Sequence, residues 1–182
     1  PYINIINNNL KGYKMFTDYS KPEDIFPNPA KNPTLIYNTR EKGVENASKA
    51  GLTVDYDVRV KGIAKDSTKL EKLNVFRAFE SRDVAMAVEM LIHAYALVRY
   101  GKAIPSDNIK SGRSEFFLAD AVRMHSMTAL AYKKAKHLNY DAYKIGRHAL
   151  KYIHDAGLKF PHDMKRNLGY MALRVLENEG FK

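Results

Sequence analysis

The hydrophobic pattern of this chain changes period once, and that switch constrains its fold more than any other feature. In GLTVDYDVRVKG, Leu52, Val54, Tyr56, Val58 and Val60 alternate with Thr53, Asp55, Asp57, Arg59 and Lys61. Period-2 alternation predicts a strand with one face on a core and the other in water. From residue 67 onward the apolar residues recur at three- and four-residue steps, the period of amphipathic helices. An isolated hairpin is marginal in water, so the strand needs partners, and weaker strand candidates stand upstream at Tyr2 to Ile6 and Thr34 to Tyr37. The expected fold class is α+β, with a small N-terminal antiparallel sheet packed on a C-terminal bundle of four to five helices. Residues 1–65 form the β-containing part and 66–182 the bundle, within one folded unit.

Local signals set the expected helix ends. Thr68 with Glu71 reads as a capping box for a short helix reaching Phe79. Ser81 caps a helix over Arg82 to Tyr100, closed by Gly101. That helix is apolar nearly all round, with Arg82, Glu89 and His93 as its polar stripe, which marks a central helix. Residues 103–113 form a loop. Ser114 caps the next helix, whose inner face carries Phe117, Ala121, Met124, Thr128, Ala131 and Ala135. A further helix runs from about Asp141 to Ala156 with Ala142, Ile145, Ala149, Ile153 and Ala156 inward and Gly157 as its stop. Pro161 opens a last one, with Met164, Leu168, Met171 and Val175 as its stripe.

Four of the seven prolines (Pro22, Pro27, Pro29 and Pro33) fall within residues 20–33. Proline fixes φ and pushes its predecessor toward extended geometry, so this stretch is expected to be an extended arm. Ile25 and Phe26 are its only large apolar side chains, and they are the expected partner-binding anchors.

Several classes of chemistry are closed to this composition. The chain has no cysteine, which excludes disulfides, thiol catalysis and Cys-ligated zinc. Its ten glycines are never closer than the eight residues between Gly43 and Gly51, so neither a P-loop nor G-x-G-x-x-G exists. The six histidines contain no i,i+3 or i,i+4 pair to offer a metal from one helix. No metal, no cofactor and no catalytic residue is expected. The most apolar window, 84–98, holds Glu89 and His93 and falls short of the roughly 20 residues of a bilayer span, so no membrane insertion is expected. PYINIINNNLKGYK lacks the basic and apolar regions of an uncleaved secretory signal, which points to an intracellular location, cytoplasmic or organellar.

Three weaker signals have ordinary readings. His154–Asp155 resembles the HD pair of metal phosphohydrolases, but past the nearby Asp163 no later aspartate completes that set. Asp55 and Asp57 share a predicted strand face with Arg59 and Lys61, a solvated charge ladder. Pro1-Tyr2-Ile3-Asn4-Ile5 resembles the opening of tautomerases that use an N-terminal proline amine as base. In that family a long helix follows the strand at once, whereas here Asn7, Asn8, Asn9 and the proline arm follow.

Charge is the positive signal. The chain carries 30 Lys and Arg against 20 Asp and Glu, net +10. The excess concentrates in residues 99–174, with 15 basic and six acidic groups. Lys144, Arg147 and Lys151 fall at i, i+3 and i+7, opposite the apolar face of their helix, with His148 alongside. Arg123, Lys133, Lys134 and Lys136 line the outside of the preceding helix, and Lys110 and Arg113 flank Ser111-Gly112. Such surfaces attract phosphate backbones through counterion release and steering, and Tyr132, Tyr140, Tyr143 and Tyr152 stand among them as candidate stacking residues. The leading expectation is a non-enzymatic protein that binds DNA or RNA through the backbone, without base-reading motifs and hence without strong sequence specificity. A structural subunit of a larger ribonucleoprotein, viral or organellar assembly, with protein partners, is the alternative; an enzyme stands third.

Overall fold

The computed structural model describes residues 34–53, 58, 61, 74–79, 82–107, 109 and 115–159. The proline arm with Ile25 and Phe26, the strand candidate at 2–6, Pro1, the Asp55–Asp57 pair, Ser81, Lys110, Arg113, Ser114 and the 161–175 stripe all lie outside the described residues.

The fold is α+β. Strands β1 (Thr34–Arg40), β2 (Ser48–Thr53) and β3 (Asn74–Phe79) form an antiparallel sheet in the order β2-β1-β3. Strand β1 is the centre of the sheet and is buried along its whole length except Arg40. Unbroken burial with no alternation is the mark of a strand covered on both faces. Its polar residues therefore need partners: Asn38 Nδ2 donates to Thr128 Oγ1 at 3.3 Å. β1 and β2 are joined by a turn in which Glu41 N–H reaches the Ala47 carbonyl and Gly43 takes a positive φ of 76°. The buried Glu41 carboxylate then accepts the Ser106 N–H with both oxygens, at 3.2 and 3.1 Å, which ties the turn to the 101–109 loop.

Three helices follow among the described residues: α1 (Arg82–Tyr100), α2 (Ala121–His137) and α3 (Ala142–Asp155). Helix α1 is central, as its nearly uniform apolar surface predicts; it packs against α2, α3, β1 and β2. Its Ala85, Val88, Leu91, Ile92 and Ala94 are fully buried in a cluster with Ile36, Met124, Ala131, Ile145 and Leu150. Gly146 lets α3 sit close: a Cβ there would already lie 3.4 Å from Met90 Cε. Gly101 (φ 79°) and Gly157 (φ 70°) follow α1 and α3 in left-handed conformations, the expected stops.

Three expectations are corrected. Within the period-2 run Leu52 and Thr53 end β2, Thr53 pairing with Leu35, and residues 54–57, 59 and 60 lie outside the described residues. Residues 58 and 61 are helical, with Val58 65% exposed; alternation specifies a strand only where a neighbouring strand continues to pair with it. The helix expected from the Thr68–Glu71 capping box does not reach Phe79: residues 74–79 are β3, paired with β1 from Thr34↔Phe79 to Asn38↔Asn74, and residues 62–73 lie outside the described residues. Tertiary pairing overrides a four-residue local signal there.

The third correction concerns the start of α2. It begins at Ala121, capped by Asp120, whose Oδ1 accepts the Arg123 N–H at 2.7 Å. Phe117, expected on the inner face of that helix, instead bridges Ser48 and Lys102 in extended conformation. Met124, Thr128, Ala131 and Ala135 do face inward. In α3, Ile145, Ala149 and Ile153 are buried as the spacing predicts, Ala142 is half-buried and Ala156 is exposed at the C-cap.

Candidate nucleic-acid interface

Two caps orient the basic helices. Asp120 starts α2, and Asp141 Oδ1 accepts the Lys144 N–H at 3.0 Å to start α3. Between them Asn139 and Tyr140 both take φ of 53°, a left-handed pair that turns the chain within four residues. Residues 120–159 contain eight basic groups and three carboxylates. Two of those carboxylates serve as caps, and the third, Asp155, accepts from Lys151 Nζ at 2.6 Å. That bond lowers the Asp155 carboxyl below its usual range.

The remaining positive charge faces outward. Lys133, Lys136, Lys144, Arg147 and Lys151 are exposed, and Lys134 is half-buried. Among the described residues no carboxylate lies within ion-pair distance of Lys133, Lys134, Lys136 or Lys144. Arg123 is exposed, 3.9 Å from Asp120 and 5.9 Å above the Tyr100 ring. The i, i+3, i+7 stripe of α3 thus lies opposite its buried face, and the last turn of α2 adds Lys134 and Lys136 shortly before it in the chain. Of the candidate stacking residues, Tyr132 is buried and is removed from that role. Tyr143 is exposed, while Tyr140 and Tyr152 are half-buried.

Pattern within one helix could not reveal the contacts between α1 and α3. Tyr95 Oη lies 3.2 Å from His148 Nε2. The Tyr95 ring meets Tyr152 edge-on at 4.8 Å, and the His148 and Tyr152 rings are 6.4 Å apart. Burial and the neighbouring Tyr152 push the Tyr95 hydroxyl up to about 12. Burial, then the ammonium groups of Lys134 and Lys151, hold His148 below the ordinary imidazole range.

A second cluster is structural. His93 is buried with Nε2 3.1 Å from the Ala50 carbonyl, and its ring sits 5.3 Å from that of Phe117. Burial pushes it down to about 4 against the opposing hydrogen bond to Ala50. Lys49 pairs with Glu115 at 3.0 Å and stands over Phe116, while Lys102 stands over Phe117. His125 is also buried, and burial likewise pushes it down to about 4. The HD-like pair is at the surface: His154 and Asp155 are both exposed, 3.7 Å apart. Among the described residues no group of three His, Asp or Glu side chains could hold a metal ion. No described helix is long and apolar enough to cross a membrane.

Comparison with known proteins returns no match: no family model, no curated protein and no solved structure is significantly similar to this chain.

Proposed function

We propose that this is a nucleic-acid-associated protein that holds the phosphate backbone of DNA or RNA on the outer faces of α2 and α3. The observation that carries the reading is the spending of carboxylates. Asp120 and Asp141 are consumed as caps, and Lys133, Lys134, Lys136 and Lys144 have no carboxylate partner among the described residues. Uncompensated charge repels itself and costs stability unless a counter-charge uses it. Arg123, Lys133, Lys134, Lys136, Lys144, Arg147 and Lys151 are the contact residues. Phosphate contacts position a protein without reading sequence, so weak sequence preference is expected.

The test is the salt dependence of binding to a duplex oligonucleotide. Log affinity should fall linearly with log salt, by roughly 0.9 per phosphate neutralised, so about three to five contacts give a slope near −3 to −4. Changing Lys144, Arg147 and Lys151 together to Glu should abolish most binding and flatten that slope while the protein stays folded. An affinity unchanged between low and physiological salt ends this reading.

Exposed apolar groups favour a second reading, a structural subunit of a larger assembly. Ile104 is 90% exposed, and Leu118 and Val122 are also open to solvent. Large exposed apolar groups become stabilising once a partner covers them. Protein chains co-purifying in fixed stoichiometry from the native source, released by Ile104→Asp, support it.

A further inference from the structure

We propose that Tyr95, Lys134, His148, Lys151 and Tyr152 form one phosphodiester site, and that a bound phosphate draws a proton from solvent onto His148. This rests on the nucleic-acid reading and adds to it a specific seat and a proton. Three elements build the cluster. Helix α1 supplies Tyr95, the last turn of α2 supplies Lys134, and α3 supplies His148, Lys151 and Tyr152. The rings of Tyr95, His148 and Tyr152 pack on one another, which fixes the imidazole against α1 rather than leaving it to swing in water.

The groups that act on His148 are Tyr95 from α1, Lys134 from α2, and Lys151 and Tyr152 from α3. None of these is a carboxylate. Asp155, the nearest acid along α3, is engaged by Lys151 at 2.6 Å. An imidazole between two ammonium groups pays for any third positive charge, and a phosphodiester is the ligand that reverses this balance, since its single negative charge attracts all three. Burial and the two lysines hold the free imidazole neutral at physiological pH. A neutral imidazole shares one proton with Tyr95 Oη. Adding a second from bulk water makes both ring nitrogens donors. Nε2–H then donates to Tyr95 Oη, and the Tyr95 hydroxyl proton and Nδ1–H become available to the phosphate. The strongest hydrogen bonds are those in which one partner is ionised, so protonation and phosphate binding reinforce each other.

Linkage fixes the sign. The phosphate raises the imidazole pKa from its low free-state value. Affinity is therefore constant above the bound-state pKa, rises as pH falls through the interval between the two, and levels off below the free-state value. The probe is an oligothymidylate, whose bases and phosphodiesters do not titrate in the range used. Binding is measured at constant ionic strength between about pH 8 and pH 5. The wild-type protein should tighten by up to about tenfold, and H148Q should change by less than about twofold. His137 and His154 are exposed imidazoles on the same two helices, and the difference between wild type and H148Q removes their share. Y95F should weaken binding at pH 5 and shrink the pH effect, since it removes the hydroxyl that partners His148 and faces the phosphate. The imidazole resonance of His148, followed by proton NMR, should titrate at higher pH in the complex than in the free protein. Equal pH profiles for wild type and H148Q, or a His148 titration unmoved by the oligonucleotide, overturn the site while leaving phosphate binding intact. Failure of the wild type to bind at any pH overturns the nucleic-acid reading itself.

Discussion

Acidification from pH 7 to pH 5 should destabilise this protein through two imidazoles that lie in its core. His93 and His125 are 3% and 2% exposed, and burial pushes each from 6.5 to about 4. The unfolded chain therefore binds protons that the native state refuses. Because the native pKa is depressed, the stabilising contribution is complete above about pH 6.5 and declines as pH falls toward 4, where it levels off. At one pKa unit per 1.36 kcal/mol, the drop from 6.5 to pH 5 is about 2 kcal/mol for each histidine, or about 4 kcal/mol for the pair. A domain of this size has a total stability of roughly 5–15 kcal/mol, so the loss should be plain. His148, half-buried and shifted the same way, adds a smaller loss of the same sign. Urea unfolding followed by circular dichroism at pH 7, 6 and 5 measures the effect as the change in midpoint at constant slope. The double variant H93Q/H125Q serves as the control for carboxylates that begin to titrate near the bottom of the window. A wild-type loss under about 1 kcal/mol between pH 7 and 5, or an equal loss in the double variant, refutes the assignment of neutral buried imidazoles.

Two further perturbations test the packing. Gly51→Ala should lower the melting temperature, at a cost of about 1–3 kcal/mol, because a Cβ there would stand 2.6 Å from Cζ and Oη of Tyr37; an unchanged midpoint means Tyr37 can move aside. Asp120→Ala and Asp141→Ala should each cost about 1 kcal/mol by removing a helix cap, and asparagine at either site should restore most of it. If neither alanine variant shifts the midpoint, the caps are not what fixes the starts of α2 and α3.

The two outer basic helices were legible because their signals are confined to single elements. The inward Ile145–Ala149–Ile153 spacing and the opposing Lys144–Arg147–Lys151 stripe are read within the fourteen residues of α3, whereas Ser114 signals a start for α2 that Asp120 actually provides. The central helix was legible for the same reason, through the uninterrupted apolar run ended by Gly101. The sheet was not. Asn38, Thr39 and Arg40 look like a polar exit from a short strand, yet β1 continues through them, paired with β2 at all three and with β3 at Asn38, and Asn38 Nδ2 donates to Thr128, ninety residues away. Residues 74–79 follow a convincing helix start and are nonetheless a strand, since β1 is there to pair with. Phe117 stands at helical spacing from Ala121 but is held by Ser48, sixty-nine residues earlier. The basic surface followed the same division. Its charges were visible on each helix, whereas the Tyr95–His148–Tyr152 contact joins two helices and leaves no periodic trace in either.

Strand β2 lies at an edge of the sheet, and its free side is covered at Ser48 and at the Ala50 carbonyl. An open edge presents unpaired N–H and carbonyl groups that can template a strand from another chain. Here Ser48 exchanges both of its backbone bonds with Phe117, at 2.8 and 3.2 Å, and the Ala50 carbonyl is occupied by His93 Nε2. The same imidazole that resists protonation thus works as a stopper on the sheet margin. Loss of the His93 contact leaves the Ala50 carbonyl bare beside an aromatic ring that no longer has its partner. An H93A variant is therefore expected to open a hydrogen-bonding position on the margin of β2, at Ala50.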